Sequence, residues 1–285
     1  MIRITRAAVA ALLVCSVALP AGVATAAAPD TPPPAVAHTA RAATLPAPTG
    51  PYSVGSTVLP LVDRSRTDPW VPTADGRALV VTLHYPAARA DGGRPAPYAT
   101  REEARLLAEQ LGPGVSGDVL ARTRTHSRTD ARPAPGRRPL VLLSPGFSVS
   151  RWTLTHLAED LASRGYVVAS VDHAYESYGI SLPGGRTLTC VACTALDEGG
   201  VHGSVVTSTR AADMRYVLDR LTGPRPVWKH ADVIDARRIG MAGHSIGGAS
   251  AASAMVADPR IDAGINMDGS FWEELPAEGL RGRRS

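Results

Sequence analysis

Ser245 sits in the run Gly243-His244-Ser245-Ile246-Gly247, followed by Gly248. An apolar stretch precedes it and small residues follow. That is the pattern of a nucleophile carried on a sharp strand-to-helix turn. Gly243 and Gly247 let strand and helix approach without Cβ clashes, and the helix N-terminus beneath the hydroxyl favours negative charge. Such a turn serves acyl transfer, in which the serine attacks a carbonyl and backbone N–H groups hold the resulting oxyanion. One donor is the N–H of Ile246, the residue after the nucleophile. The second comes from a loop after an earlier strand, and Leu143-Ser144-Pro145-Gly146-Phe147 offers the N–H of Phe147. An acid should follow in chain order, and Asp268 closes the next apolar stretch, at the kind of strand end where such sites are built.

A base should come last. The eight histidines are His38, His84, His126, His156, His173, His202, His230 and His244, and all precede Asp268. The turn should point His244 away from its neighbour Ser245. His173 follows an apolar strand and could stand at the rim of the site, although chain order is against it. With no histidine after the acid, little or no turnover is expected.

The elements that must position these residues read as an alternation. Residues 79–85 form a strand that stops at Pro86. Thr100 and Glu103 make a capping box for a helix over 101–111, which Gly112 ends. From Leu140 the order is strand, helix, strand, helix, strand, helix, strand. The strands fall at 139–143, 166–171, 238–242 and 261–267, and the helices at 154–162, 210–221 and 246–256. That order calls for an α/β fold, a mostly parallel sheet with helices on both faces. Residues 176–205 read as an irregular, Gly-rich functional loop.

The N-terminus carries Arg3 and Arg6, an apolar run over 7–23, and Ala24-Thr25-Ala26 as a cleavage site. Residues 1–26 are therefore expected to be a secretory signal, with the protein secreted and without a transmembrane anchor. Residues 27–50 read as an Ala/Pro-rich linker, and 51–285 as the catalytic-type domain. Of the three cysteines, Cys190 and Cys193 lie outside the signal, and a local loop disulfide is the expected use. With 30 Lys+Arg against 26 Asp+Glu and no basic stripe, nucleic acid is not an expected partner. No metal or cofactor is expected.

Together these residues resemble the secreted platelet-activating factor acetylhydrolase type. The resemblance runs from about Leu45 to Trp272. It rests on Pro48-Thr49-Gly50-Pro51-Tyr52, Arg66-Thr67-Asp68-Pro69-Trp70, Ser144-Pro145-Gly146-Phe147, Val171-Asp172-His173, the Ser245 motif and Asn266-Met267-Asp268-Gly269. It implies the α/β-hydrolase fold with its C-terminal part missing, and metal-free hydrolysis of short acyl esters on lipid-like substrates. By carry-over, Ser245 is the nucleophile, Asp268 orients the base, and Phe147 and Ile246 form the oxyanion hole. Pro145-Gly146 stands where that family commonly has His-Gly, and this also resembles cutinase-like polyester hydrolases. A third reading is a truncated, non-catalytic or binding protein.

Overall fold

The computed structural model describes residues 42–88, 93–277 and 279–280. The expected signal and residues 27–41 of the expected linker lie outside the described residues. Residues 42–50 are pinned to the domain. The Leu45 N–H donates to the Arg124 carbonyl at 3.0 Å. The Thr49 amide and hydroxyl both donate to the Asp160 carboxylate, at 2.8 and 2.7 Å. The Gly50 N–H donates to Ser163 Oγ at 2.9 Å. These anchors are polar and distant in sequence, so Ala/Pro-rich composition does not reveal them.

In chain order the elements are β1 (Ser53–Asp63), β2 (Arg77–Ala87), β3 (Pro95–Pro97), α1 (Arg101–Leu111), α2 (Gly117–Ala121), β4 (Arg124–Thr129), β5 (Arg138–Ser144) and α3 (Thr155–Ser163). They continue with β6 (Val167–His173), the hairpin β7 (Ile180–Ser181) and β8 (Thr187–Leu188), α4 (Val191–Asp197), α5 (Gly203–Thr222), β9 (Ile234–His244), α6 (Ile246–Ala257) and β10 (Ala263–Met267). Eight strands form one sheet in the order β10-β9-β5-β6-β2-β1-β4-β3. Strand β5 lies parallel to both β6 and β9, and β10 lies parallel to β9. Strand β2 pairs antiparallel with β6 and with β1. The expected alternation is present as β5-α3-β6-α5-β9-α6-β10.

Side chains of the central strands alternate between two apolar layers, as the period of two requires. Leu140 and Leu142 of β5 and Val167, Ala169 and Val171 of β6 pack with Met214, Val217 and Leu218 of α5 and Ala251 and Met255 of α6. Leu143 and Val168 face the other way, onto Ala158 and Ala162 of α3. Helix α3 therefore covers one face, and α5 and α6 cover the other. The chain leaves β5 toward β6 on one side and returns to β9 on the other. The loops at the C-terminal end of β5 diverge there, which is where sites form in open α/β sheets.

Several boundaries differ from expectation. Strand β2 runs through Pro86, which pairs with Val54 of β1. The last β2 residue paired with β6 is His84, so Pro86 lies beyond that ladder and its missing N–H breaks nothing there. Helix α5 begins at Gly203 rather than 210, capped by the His202 side chain, which accepts from the Ser204 N–H. Its Ser/Thr-rich first turns lack the apolar stripe of the later ones. The stretch 176–205 contains the β7–β8 hairpin and α4. Cys190 and Cys193 are disulfide-bonded at the start of α4, with Cα atoms 5.3 Å apart. Helix α1 has the expected capping box. Thr100 Oγ1 accepts from the Glu103 N–H at 3.1 Å, and the Glu103 carboxylate accepts from the Thr100 N–H at 2.9 Å.

Candidate active site

Ser245 joins β9 to α6 with φ 53° and ψ −128°. A non-glycine residue in this region is strained, and the surroundings must enforce it. The enforcement is steric. A Cβ on Gly243 would lie 2.2 Å from the Gly247 carbonyl carbon and oxygen, and a Cβ on Gly247 would lie 2.3 Å from the Ser144 carbonyl oxygen. Only glycine at both positions lets the elbow close against the end of β5. The Ser245 N–H donates to the Met267 carbonyl at 2.8 Å, tying the elbow to the end of β10.

Asp268 follows directly, exposed, with φ 62°. Asn266 holds this turn. Its amide donates to the Gly269 carbonyl, and its side-chain oxygen accepts from the Gly269 N–H, both at 2.8 Å. The loop after β5 lies against the elbow from the other side. Gly247 meets the Ser144 and Pro145 carbonyls, and Gly146 lies against the His244 ring. Ser245, Ile246 and Asp268 thus share one end of the sheet with the Phe147 loop. Among the described residues, neither the Phe147 nor the Ile246 N–H has a hydrogen-bond acceptor. Helix α6, twelve residues long, starts at Ile246 and directs its N-terminal dipole at this point.

Among the described residues, no histidine hydrogen-bonds to Ser245 or Asp268. His173 is engaged elsewhere. It is buried, with Nδ1 2.8 Å from Asp213 Oδ2 and Nε2 3.1 Å from Ser144 Oγ. His126 meets the Leu45 carbonyl, and the His202 ring stands edge-on to Trp272.

Beneath the Phe147 loop lies a buried ionic cluster that sequence reasoning did not identify. Arg77 donates to Asp213 at 2.9 Å, Glu176 at 2.6 Å, Asp68 at 3.1 Å and the Ala174 carbonyl at 2.7 Å. Arg210 donates to Glu176 at 2.7 Å, Ser144 Oγ at 3.2 Å and the Pro145 carbonyl at 2.6 Å. Arg66 donates to Asp213, and Trp70 Nε1 to Glu176. Burial works against charge on Asp213, but Arg77 and His173 outweigh it and hold the carboxyl well below the usual range. Burial likewise opposes charge on Glu176, and Arg210 and Arg77 keep its pKa low. Burial, and then the Arg210 charge, lower the His173 pKa against the pull of Asp213. The one visible signal was that Arg210 lies on the stripe of Met214, Val217 and Leu221. A charge on a buried stripe needs a partner.

A sequence model of the platelet-activating factor acetylhydrolase isoform II family matches residues 37–182, from the N-terminal anchor through β7. A probable 1-alkyl-2-acetylglycerophosphocholine esterase of Arthroderma benhamiae is 31% identical over 254 residues, 84% of this chain and 62% of that protein. This chain belongs to the platelet-activating factor acetylhydrolase isoform II family. A solved ferulic acid esterase from Streptomyces cinnamoneus is 50% identical, with a TM-score of 0.74 over 83% of this chain and 65% of its own. A bis(hydroxyethyl) terephthalate hydrolase of Streptomyces coelicolor is 29% identical over 140 residues, 47% of this chain and 35% of that protein. The fold is that of the α/β-hydrolases. The chain spans less than two thirds of the length of these relatives. Among the described residues, no helix is long and apolar enough to cross a membrane.

Proposed function

We propose that this chain carries the acyl-transfer centre of a serine carboxylic ester hydrolase acting on short-acyl esters of lipid-like alcohols. The observation that carries this reading is Ser245 itself. Its left-handed backbone, φ 53°, sits between a β5 loop and a β10 turn that are both in contact with the elbow. Strain of that kind at a strand-to-helix junction lifts a hydroxyl clear of its neighbours.

In the reaction, Ser245 Oγ attacks the ester carbonyl. The carbonyl oxygen gains the negative charge and is held by the N–H groups of Phe147 and Ile246 and by the α6 dipole. Collapse expels the alcohol and leaves an acyl-serine, which water then cleaves. Both steps need a base that takes a proton from Oγ or water and returns it to the leaving group. Asp268, exposed beside the elbow, orients an imidazole placed between it and Ser245. No imidazole of the described residues stands there, so the chain itself should turn over weakly.

A second reading, a hydrolase of aromatic diesters, draws on Pro145-Gly146 and on the Streptomyces coelicolor relative. We also propose that the protein is exported. The N-terminal charge and apolar run are its sequence basis, and the Cys190–Cys193 bond suits an oxidising compartment.

The test is hydrolysis of p-nitrophenyl acetate by the chain and by Ser245→Ala, with and without added imidazole and corrected for imidazole alone. Imidazole-supported turnover that requires Ser245 supports the reading. Indifference to Ser245 in both conditions overturns it and favours a non-catalytic, binding role. Comparing acetyl-phospholipid with a terephthalate diester then ranks the two substrate classes.

A further inference from the structure

The loop between β5 and α3 offers the Phe147 N–H, yet among the described residues Phe147 has no hydrogen-bond partner that would fix it. Its position depends on what holds the residues on either side. On the near side, the Pro145 carbonyl accepts from Arg210 Nη1 at 2.6 Å. In a trans peptide the C=O and the following N–H point opposite ways. Drawing this carbonyl inward therefore turns the Gly146 N–H outward. On the far side, the Ser148 N–H donates to the Glu176 carbonyl at 3.0 Å, with Ser148 at φ 67°. The Glu176 carboxylate in turn accepts from Arg210 Nε at 2.7 Å. One guanidinium thus holds both flanks of Phe147, directly at Pro145 and through Glu176 at Ser148.

A one-way run of hydrogen bonds orients the same guanidinium. Arginine has only donors, so Ser144 Oγ accepts from Arg210 Nη1 at 3.2 Å. The Ser144 O–H is then free to donate to His173 Nε2, 3.1 Å away. The network assigns the proton of neutral His173 to Nδ1, which donates to Asp213 Oδ2 at 2.8 Å. The arrangement has serine, histidine and aspartate at triad distances, but Ser144 is 0% exposed and no substrate reaches it. It aligns Arg210 and does no acyl chemistry.

We infer that Arg210 is a positioning residue for the oxyanion hole, setting the Phe147 N–H through the Pro145 carbonyl and Glu176. The purpose of the loop rests on the hydrolase reading above, whereas the clamp itself does not. The competing role is general stabilisation by a buried charge. Arg77 supplies the comparison, because it shares Glu176 and Asp213 with the cluster but, among the described residues, donates no hydrogen bond to residues 144–148.

The experiment measures hydrogen–deuterium exchange of residues 144–150, together with imidazole-supported, Ser245-dependent turnover of p-nitrophenyl acetate. The variants are Arg210→Met, Arg210→Lys, Arg77→Met, and Arg210→Met combined with Glu176→Gln. The double variant keeps charge balanced if the single one fails to fold. Lysine cannot present the fork that reaches three acceptors at once, so Arg210→Lys should behave nearly as Arg210→Met. In the Arg210 variants, exchange in 144–150 should rise at least about 10-fold while β9 and α6 keep their protection. The kcat should fall about 100-fold, the scale of losing one oxyanion donor, with KM within about twofold. Arg77→Met should lower global stability without singling out this loop. Unchanged exchange in 144–150 would overturn the clamp. A loosened loop with unchanged kcat would overturn its link to the oxyanion. If the unsubstituted chain shows no Ser245-dependent turnover, the hydrolase reading fails, and the exchange arm alone decides whether Arg210 holds the loop.

Discussion

Replacing Arg77 by methionine should unfold this domain more readily than any surface change. The Arg77 side chain is 0% exposed and is shared by Asp68, Glu176 and Asp213. Methionine fills much of the volume but leaves three carboxylates facing a site without their common cation. Removing one partner of a buried ion pair costs about 3–5 kcal/mol. Arg66 and Arg210 still serve Asp213 and Glu176, which argues for the middle of that range, about 4 kcal/mol. For a domain of this size that corresponds to a fall in Tm of roughly 8–16 °C. The loss should depend on pH. In the native protein, Asp213 has a depressed pKa, so its stabilisation is present above the ordinary carboxylate pKa and lost on acidification. In the variant, Asp213 keeps Arg66 and His173 but loses its strongest charge partner, so less of that stabilisation remains to be lost on acidification. The gap in Tm between native protein and Arg77→Met should therefore be wider at about pH 7 than at about pH 3. Differential scanning calorimetry at both pH values measures this. A gap under about 3 °C, or one that widens toward acid, would show that Arg77 does not hold these carboxylates ionised.

The packing at the elbow predicts that Gly247→Ala reduces Ser245-dependent turnover by about 100-fold, because its Cβ would lie 2.3 Å from the Ser144 carbonyl oxygen and displace the loop. Gly240→Ala is the matched control. Its nearest neighbour is the Ala263 carbonyl oxygen at 3.6 Å, so thermal melting should show unchanged or slightly raised stability. Burial, assisted by the Arg151 charge, lowers the His84 pKa to about 4. The unfolded chain therefore takes up a proton that the fold refuses, and stability should fall as pH drops from about 6.5 toward 4. Urea titrations of His84→Leu should show a flatter acid limb; an unchanged slope would mean that His84 does not contribute to it.

The parallel half of the sheet was legible because β5, β6, β9 and β10 are short apolar runs separated by helical stripes. Ser245, Ile246, Phe147 and Asp268 could be chosen as candidates from the sequence because each falls just after one of those runs. Strands β1 and β4 were not. Strand β1 is only partly buried, and β4, Arg124–Thr129, carries no large apolar side chain. The ionic cluster escaped for a different reason. Arg77 and Asp213 are 136 residues apart, so nothing local announces their contact. Arg66-Thr67-Asp68-Pro69-Trp70 entered as a family motif, and its role became visible only in space, where Arg66, Asp68 and Trp70 each bond to the cluster. Its place after an apolar strand suggests His173 for the rim of the site. In the structure its two nitrogens are taken by Ser144 and Asp213, so it supports the loop from below.

We propose Ser245 as the nucleophile of an ester hydrolase centre whose base is not among the histidines of the described residues. Initial rates of p-nitrophenyl acetate hydrolysis across an imidazole titration, for the native chain and for Ser245→Ala, decide the matter. Little turnover is expected without imidazole, and a saturable increase with imidazole that Ser245→Ala removes. Robust turnover without imidazole, abolished by the same substitution, would show instead that a group within this chain already acts as the base.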